Sequence, residues 1–146
     1  MKYFKKLIFT VLLAFPISGF AAETTATLYK NPNCGCCSEH AKYLEANGFD
    51  VEVIDTNDLA KIKAEHDVPK KLYGCHSTLI GDYIFEGHVD AESIKQVLED
   101  KPSIKGLSVP GMPLGSPGMG REKQDPIEVY TLTLQPTDSP EVYATY

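Results

Sequence analysis

The order of apolar and polar positions in the first half of the chain predicts alternating strands and helices. Residues 26–29 form a short β-like run, and apolar residues then recur at helical spacing between Cys37 and Leu44. Gly48 supplies a C-terminal stop for that helix. Residues 49–54 alternate in polarity and predict a second strand.

A second helix is predicted after that strand. It carries the apolar residues Leu59 and Ile62, and Thr56 or Asn57 is suited to cap its N-terminus. Pro69 ends the helical segment, because proline cannot continue a helix.

The next segment predicts a β-hairpin and a third helix. Residues 78–85 form the hairpin, because the Gly81-Asp82 pair at their centre suits a two-residue turn. Asp90 is suited to cap a helix with one apolar face. That face consists of Ile94, Val97 and Leu98. The order β-α-β-α-β-β-α is that of a thioredoxin-like domain, so we predict an α/β fold over residues 22–100.

The composition changes after Lys101. Residues 109–120 are rich in proline and glycine, which exclude a regular element, and they contain Met112 and Met119. Residues 127–134 and 142–145 are β-like and predict a hairpin with a bulge. We therefore predict that residues 101–146 form a methionine-bearing flap and a C-terminal hairpin, both packed on the same domain.

The first 21 residues have the features of a secretory signal peptide. Three lysines precede an apolar run over residues 7–15, and Gly19 and Ala21 provide small residues for cleavage after Ala21. The apolar run is too short for a permanent anchor. We therefore expect an exported protein that lies in the periplasm without a stable membrane anchor.

The charge of the chain argues against nucleic acid as a partner. The sequence has 14 basic and 20 acidic residues, and loss of the three leader lysines makes the net charge about −9. Nucleic acid binding depends on neutralising phosphates with basic side chains, which this balance does not favour.

The segment NPNCGCC places Cys34, Cys36 and Cys37 at the N-terminus of the first predicted helix. The positive end of a helix dipole favours thiolates, which are both nucleophiles and soft metal ligands. Two functions therefore compete, dithiol redox exchange and metal binding. Redox exchange uses Cys34 and Cys37 as the catalytic pair but has no role for Cys36. A fourth cysteine, Cys75, precedes the third strand, in a loop that lies beside the C-x-x-C helix in thioredoxin-like folds.

Four sulfur atoms at one end of the domain favour copper(I). Imidazoles and thioethers lie within plausible reach of them, and soft donors of this kind select copper(I) rather than zinc, which gains nothing from methionine. The additional candidates are His76 or His88 and Met112 or Met119. Because there are more thiolates than one copper(I) ion needs, more than one ion is a reasonable hypothesis.

Each candidate also has a structural interpretation. Cysteines and methionines can serve as packed apolar side chains, and His88 can help to cap a helix. His66 is expected at the edge of the core, and His40, one helical turn after Cys36, is expected to be solvated.

Four segments together resemble the CopG-like periplasmic copper proteins of Gram-negative copper-resistance systems. The segments are YKNPNCGCC, GCHS, EGHV and GLSVPGMPLGSPGMG. The resemblance implies a thioredoxin-like fold, bound copper near the cysteine motif and a role in copper tolerance. It also implies copper-handling or efflux proteins of the periplasm as partners. By position it carries over these metal ligands: Cys34, Cys36, Cys37, Cys75, His76, His88, Met112 and Met119. His40 and His66 match no motif.

The sequence thus predicts an exported protein that holds Cu(I) and interconverts Cu(I) and Cu(II). Two alternatives remain open, an exported thiol-disulfide oxidoreductase that acts on proteins and a copper carrier without turnover.

Overall fold

The computed structural model describes residues 24–120, 122–135 and 139–146. The elements in chain order are β1 (Thr24–Lys30), α1 (Gly35–Ala46), β2 (Phe49–Asp55), α2 (Leu59–Glu65), a 3-10 turn (Lys70–Leu72), β3 (His76–Ile80), β4 (Tyr83–Gly87), α3 (Ala91–Asp100), β5 (Gly106–Val109), β6 (Glu128–Leu132) and β7 (Val142–Thr145). The predicted α/β fold and its element order through α3 are confirmed.

All seven strands belong to one mixed sheet with the order β2-β1-β3-β4-β5-β6-β7. Strand β1 pairs in parallel with β2 and antiparallel with β3, and β4 pairs antiparallel with β3 and in parallel with β5. Strands β6 and β7 extend the sheet as the predicted C-terminal hairpin, with a register shift between Val129 and Tyr130. The bulge that the sequence pattern indicates is therefore present.

Three details of the chain differ from the sequence prediction. Asp58, rather than Thr56 or Asn57, is the N-cap residue of α2, and the hydroxyl of Thr56 accepts a hydrogen bond from its backbone N–H. Helix α2 also ends at Glu65, four residues before Pro69. Strand β5 is not predicted, because its four residues are all buried and show no alternation of polarity.

The core lies on both faces of the sheet. Helices α1 and α3 cover one face, where Leu44 and Ile94 pack near Phe85 and Leu107 in the larger hydrophobic cluster. A smaller cluster on the other face contains Ile84, the strand neighbour of Phe85. Burying each side chain of this size contributes about 1.5–3 kcal/mol, so α1 is held firmly by the same buried face that carries Cys37 and His40.

The predicted signal peptide, residues 1–21, lies outside the described residues. Among the residues that the structure describes, no helix has the length and apolarity of a membrane span. The predicted domain boundaries at residues 21 and 100 stay predictions, although β5 pairs directly with β4.

Candidate metal centre

The four cysteines meet at the N-terminus of α1. Cys34 is the N-cap residue of α1, and Cys36 and Cys37 lie in its first turn. Cys75 lies in the loop before β3, and all four sulfur atoms are within 4.8 Å of one another. The loop before α1 is held by a turn in which the N–H of Cys34 donates to the carbonyl of Asn31. Two segments about 40 residues apart in sequence therefore place their sulfur atoms in one group.

The sulfur atoms fall into two pairs. Cys34 and Cys37 form a disulfide, whereas Cys36 and Cys75 are half-buried free thiols. The Cys36 sulfur lies 3.6 Å from that of Cys34, at the disulfide itself. One pair is thus able to exchange electrons, and the other stays available as ligands when that pair is oxidised.

Two buried imidazoles face the Cys75 sulfur. The Nδ1 of His76 lies 3.3 Å and the Nε2 of His88 lies 3.0 Å from this sulfur. The other ring nitrogen of His88 lies 2.5 Å from the carbonyl oxygen of Pro117. Because a carbonyl only accepts, His88 Nδ1 carries the proton, and a neutral ring has a bare Nε2 directed at the sulfur.

His40 is the residue that the sequence interpretation placed wrongly. It is 1% exposed rather than solvated. Gly118 packs so closely on the helix at this residue that a Cβ on the glycine would lie only 2.6 Å from the His40 backbone nitrogen. The proline- and glycine-rich loop thus lies directly on α1. The His40 ring contacts the carbonyl oxygen of Val89 at 3.0 Å through Nε2 and the Nε2 of His76 at 2.9 Å through Nδ1. His66, at the C-cap of α2, is half-buried and outside this group.

Burial controls the protonation of the site. It lowers the pKa of His40 to about 3, with a further contribution from His88, and it lowers the pKa of His76 and His88. Burial, together with the neighbouring Cys36, raises the pKa of Cys75 to about 12. In the absence of a cation, Cys75 is therefore a thiol and the three imidazoles are neutral at neutral pH.

These donors fit a soft cation. The single S–H of Cys75 can satisfy only one of the two imidazole nitrogens that face its sulfur. The other nitrogen then meets sulfur lone pairs, which is unfavourable unless a cation lies between them. Thiolate and imidazole are the ligands that copper(I) and zinc share, and copper(I) accepts a low number of them.

The methionine-bearing loop contacts this group but does not bring both thioethers to it. Pro117 and Gly118 lie against His88 and His40, as described above. Met119 is half-buried in the adjoining turn, where its N–H donates to the carbonyl of Ser116. Met112 is 57% exposed, so it is not part of the buried group in this conformation.

A second buried polar cluster lies beside the first. The Lys63 ammonium forms an ion pair with Glu86 and donates to the Ser77 hydroxyl at 3.2 Å and to the Gly74 carbonyl at 3.3 Å. Glu86 also accepts from the Gly74 N–H at 2.9 Å and from the Ser77 hydroxyl at 2.7 Å. The sequence interpretation missed this cluster, although Lys63 follows Leu59 by four residues and thus shares the inner face of α2.

Two solved structures match the chain over most of its length. They are described as "Copper resistance protein copG- Form 2" and "Copper resistance protein copG- Form 1". Each is 37% identical in sequence and covers 85% of this chain and 98% of its own, with TM-scores of 0.78 and 0.77. The chain belongs to the CopG family of copper resistance proteins.

The family model agrees with this assignment. The model described as "Protein of unknown function, DUF411" matches residues 72–119. That segment contains Cys75, His76, His88 and both loop methionines. No curated protein matches the chain.

Proposed function

We propose that the protein is a periplasmic copper-binding protein of copper tolerance. It holds Cu(I) as a multinuclear thiolate cluster and interconverts Cu(I) and Cu(II). The observation that carries this proposal is the convergence of four cysteine sulfurs within 4.8 Å of one another, with two imidazoles around that of Cys75. Membership of a family whose relatives are described as copper resistance proteins supports copper as the metal.

Copper is the cargo of this site, and the cysteines are its main ligands. In the reduced protein the four thiolates bridge the ions, His76 and His88 complete the coordination around Cys75, and Met112 and Met119 close over the cluster from the loop. Closing requires Met112 to leave its exposed position. The high pKa of Cys75 means that copper(I) displaces the thiol proton on binding.

The Cys34–Cys37 pair supplies the electrons. Two Cu(II) ions each take one electron from the dithiol, both S–H bonds break, the disulfide forms, and two Cu(I) ions and two protons are the products. In the reverse direction, two Cu(I) ions each give one electron to the disulfide and leave as Cu(II), the S–S bond breaks, and two protons are taken up to form the two S–H bonds. The disulfide of the structure corresponds to the oxidised end of this cycle, with Cys36 and Cys75 left as thiols.

Metal counting on the reduced protein tests the proposal. We expect more than one Cu(I) per chain by elemental analysis, and loss of Cu(I) binding in the Cys36→Ser, Cys75→Ser double variant with its circular dichroism unchanged. The matched control is the Cys34→Ser, Cys37→Ser variant, which should keep Cu(I) at the remaining thiols but lose the reduction of Cu(II). A stoichiometry of one would exclude the cluster, and full Cu(I) retention in the first variant would contradict the ligand assignment.

A second candidate function is thiol-disulfide exchange with proteins, which the Cys34–Cys37 disulfide at a helix N-terminus favours. Insulin reduction with and without a copper(I) chelator separates the two functions. An oxidoreductase acting on proteins is active without metal, whereas the proposed copper protein is not. Tight Cu(I) binding without any copper-dependent redox activity would instead indicate a carrier.

A further inference from the structure

The ring of His40 joins the metal centre to the backbone through a hydrogen-bond chain. The chain runs from the Val89 carbonyl to His40, then to His76, and ends at the Cys75 sulfur. Every ring in it is buried, and the centroids of the His40 and His76 rings are 4.8 Å apart. Among the described residues, no other group forms a hydrogen bond with the rings of His40 and His76.

The protons along this chain follow from its fixed end. The carbonyl of Val89 can only accept, so the Nε2 of His40 carries a proton. A charged His40 would be a buried cation whose two ring partners are a carbonyl and an imidazole, which is costly without an opposite charge. His40 is therefore neutral, and its Nδ1 accepts.

The same reasoning fixes the tautomer of His76. Because His40 Nδ1 accepts, the nitrogen 2.9 Å from it, His76 Nε2, must donate. A neutral His76 then has a bare Nδ1, and this is the nitrogen that lies 3.3 Å from the Cys75 sulfur. Without the acceptor on His40, His76 is free to carry its proton on Nδ1 and donate it to that sulfur. The Nδ1 lone pair of His76 is then no longer available to a metal.

We infer that His40 is a positioning residue of the metal centre, which holds His76 in the tautomer and orientation that direct its Nδ1 lone pair at the position of the metal beside Cys75. The inference rests on the proposed function for the identity of the metal, but its first consequence concerns the metal-free protein. Hydrogen bonds of this kind to the second nitrogen of a ligand histidine orient the ring and raise its basicity.

Nitrogen NMR of the histidine rings in the reduced, metal-free protein tests the tautomer directly. We expect His76 to be protonated at Nε2 and bare at Nδ1 in the wild type. Protonation at Nδ1 in the wild type would overturn the inference, and this measurement needs no variant. In His40→Phe we expect His76 to gain protonation at Nδ1, whereas His40→Asn keeps the wild-type tautomer because its Oδ1 occupies the position of the ring Nδ1.

Competition with a chromophoric Cu(I) chelator then measures the effect on the metal. We expect His40→Phe to weaken Cu(I) binding by about 10- to 100-fold, as is typical for loss of such a partner, and His40→Asn to restore most of it. His66→Phe, outside the site, is the matched control and should match the wild type. Equal losses in the Phe and Asn variants would overturn the inference, since packing rather than the acceptor would then be responsible.

The two measurements distinguish an error in the proposed function from an error in the role of His40. If the wild type binds no Cu(I) while the tautomer changes as expected, the proposed function is wrong and the hydrogen-bond chain is correct. If the wild type binds Cu(I) and His40→Phe changes neither the tautomer nor the affinity, the role of His40 is wrong and the proposed function stands.

Discussion

Two buried polar clusters lie on either side of the segment that contains Cys75, and they differ in how completely they are paired. In the Lys63–Glu86 cluster, the ammonium, the Ser77 hydroxyl and the carboxylate satisfy one another together with the backbone of Gly74. In the Cys75 cluster, two imidazole nitrogens face one sulfur with a single proton between them. A buried polar cluster that is fully paired stabilises a fold, whereas converging lone pairs are costly unless a cation or a proton lies between them.

The two clusters are separated by strand geometry. His76 and Ser77 are consecutive in β3, so their side chains lie on opposite faces of the sheet, one toward the metal centre and one toward Glu86. Gly87, with φ of +72°, lies between Glu86 and His88 and allows the chain to direct the second residue to the other cluster. The paired cluster thus holds the loop that carries Cys75, while the unpaired cluster contains the proposed ligands.

The largest expected effect comes from breaking the paired cluster. Glu86→Gln leaves the Lys63 ammonium buried without its counter-charge, so the free energy of unfolding of the metal-free protein should fall by about 3–5 kcal/mol in urea denaturation. Adding Lys63→Met should recover part of this loss. Glu39→Gln, which breaks the exposed pair with Lys42, is the control and should leave the denaturation midpoint unchanged. Equal effects at the two sites would mean that the buried cluster is not paired as described.

Gly74→Ala disturbs both clusters together. A Cβ at this position would lie 2.7 Å from the backbone nitrogen of Gly87, so the loop that carries Gly74 and the end of β4 must separate. We expect a loss of about 1–3 kcal/mol of unfolding free energy, typical of overpacking, and weaker Cu(I) binding because Cys75 moves away from His88. Gly35→Ala is the control, since a Cβ there meets nothing within 4 Å. If Gly74→Ala is as stable as Gly35→Ala, the close approach of Gly74 to Gly87 is absent in solution.

The unpaired cluster should make the metal-free protein sensitive to acid. The pKa of His40 is about 3 in the folded protein, whereas that of a histidine in an unfolded chain is about 6.5, so the unfolded state binds more protons below pH 6.5. Stability is therefore full above pH 6.5 and falls toward acid by about 1.4 kcal/mol per pH unit for this residue. His40→Asn cannot be protonated and should show a correspondingly smaller slope between pH 7.5 and 5. Identical slopes would mean that His40 is already charged in the folded protein.

The smallest effects are expected in the loop that covers the site. Met112→Leu changes an exposed side chain, so the unfolding free energy of the metal-free protein should change by less than about 0.5 kcal/mol. Met119→Leu, at a half-buried position beside Gly118, should weaken Cu(I) retention more than Met112→Leu does in chelator competition. The reverse order would indicate that the loop rearranges so that Met112 becomes the principal thioether ligand.

Much of the fold is predictable from the sequence because its signals are local. The helical spacing from Cys37 to Leu44, the glycine-aspartate turn at Gly81 and the cap at Asp90 each depend on a few neighbouring residues. Strand β5 has no such local signal, since it forms through its pairing with β4 and β6.

The available chemistry can also be read from residue positions alone: a group of cysteines at a helix N-terminus, with a fourth cysteine and histidines elsewhere. How these groups are used depends on the folded arrangement. It pairs Cys34 with Cys37, buries His40 beneath a loop that lies about 80 residues later, and satisfies Lys63 through Glu86, 23 residues away. Helical and strand periodicity is set within a few residues, whereas burial and hydrogen-bond partners depend on which distant segments the fold packs together.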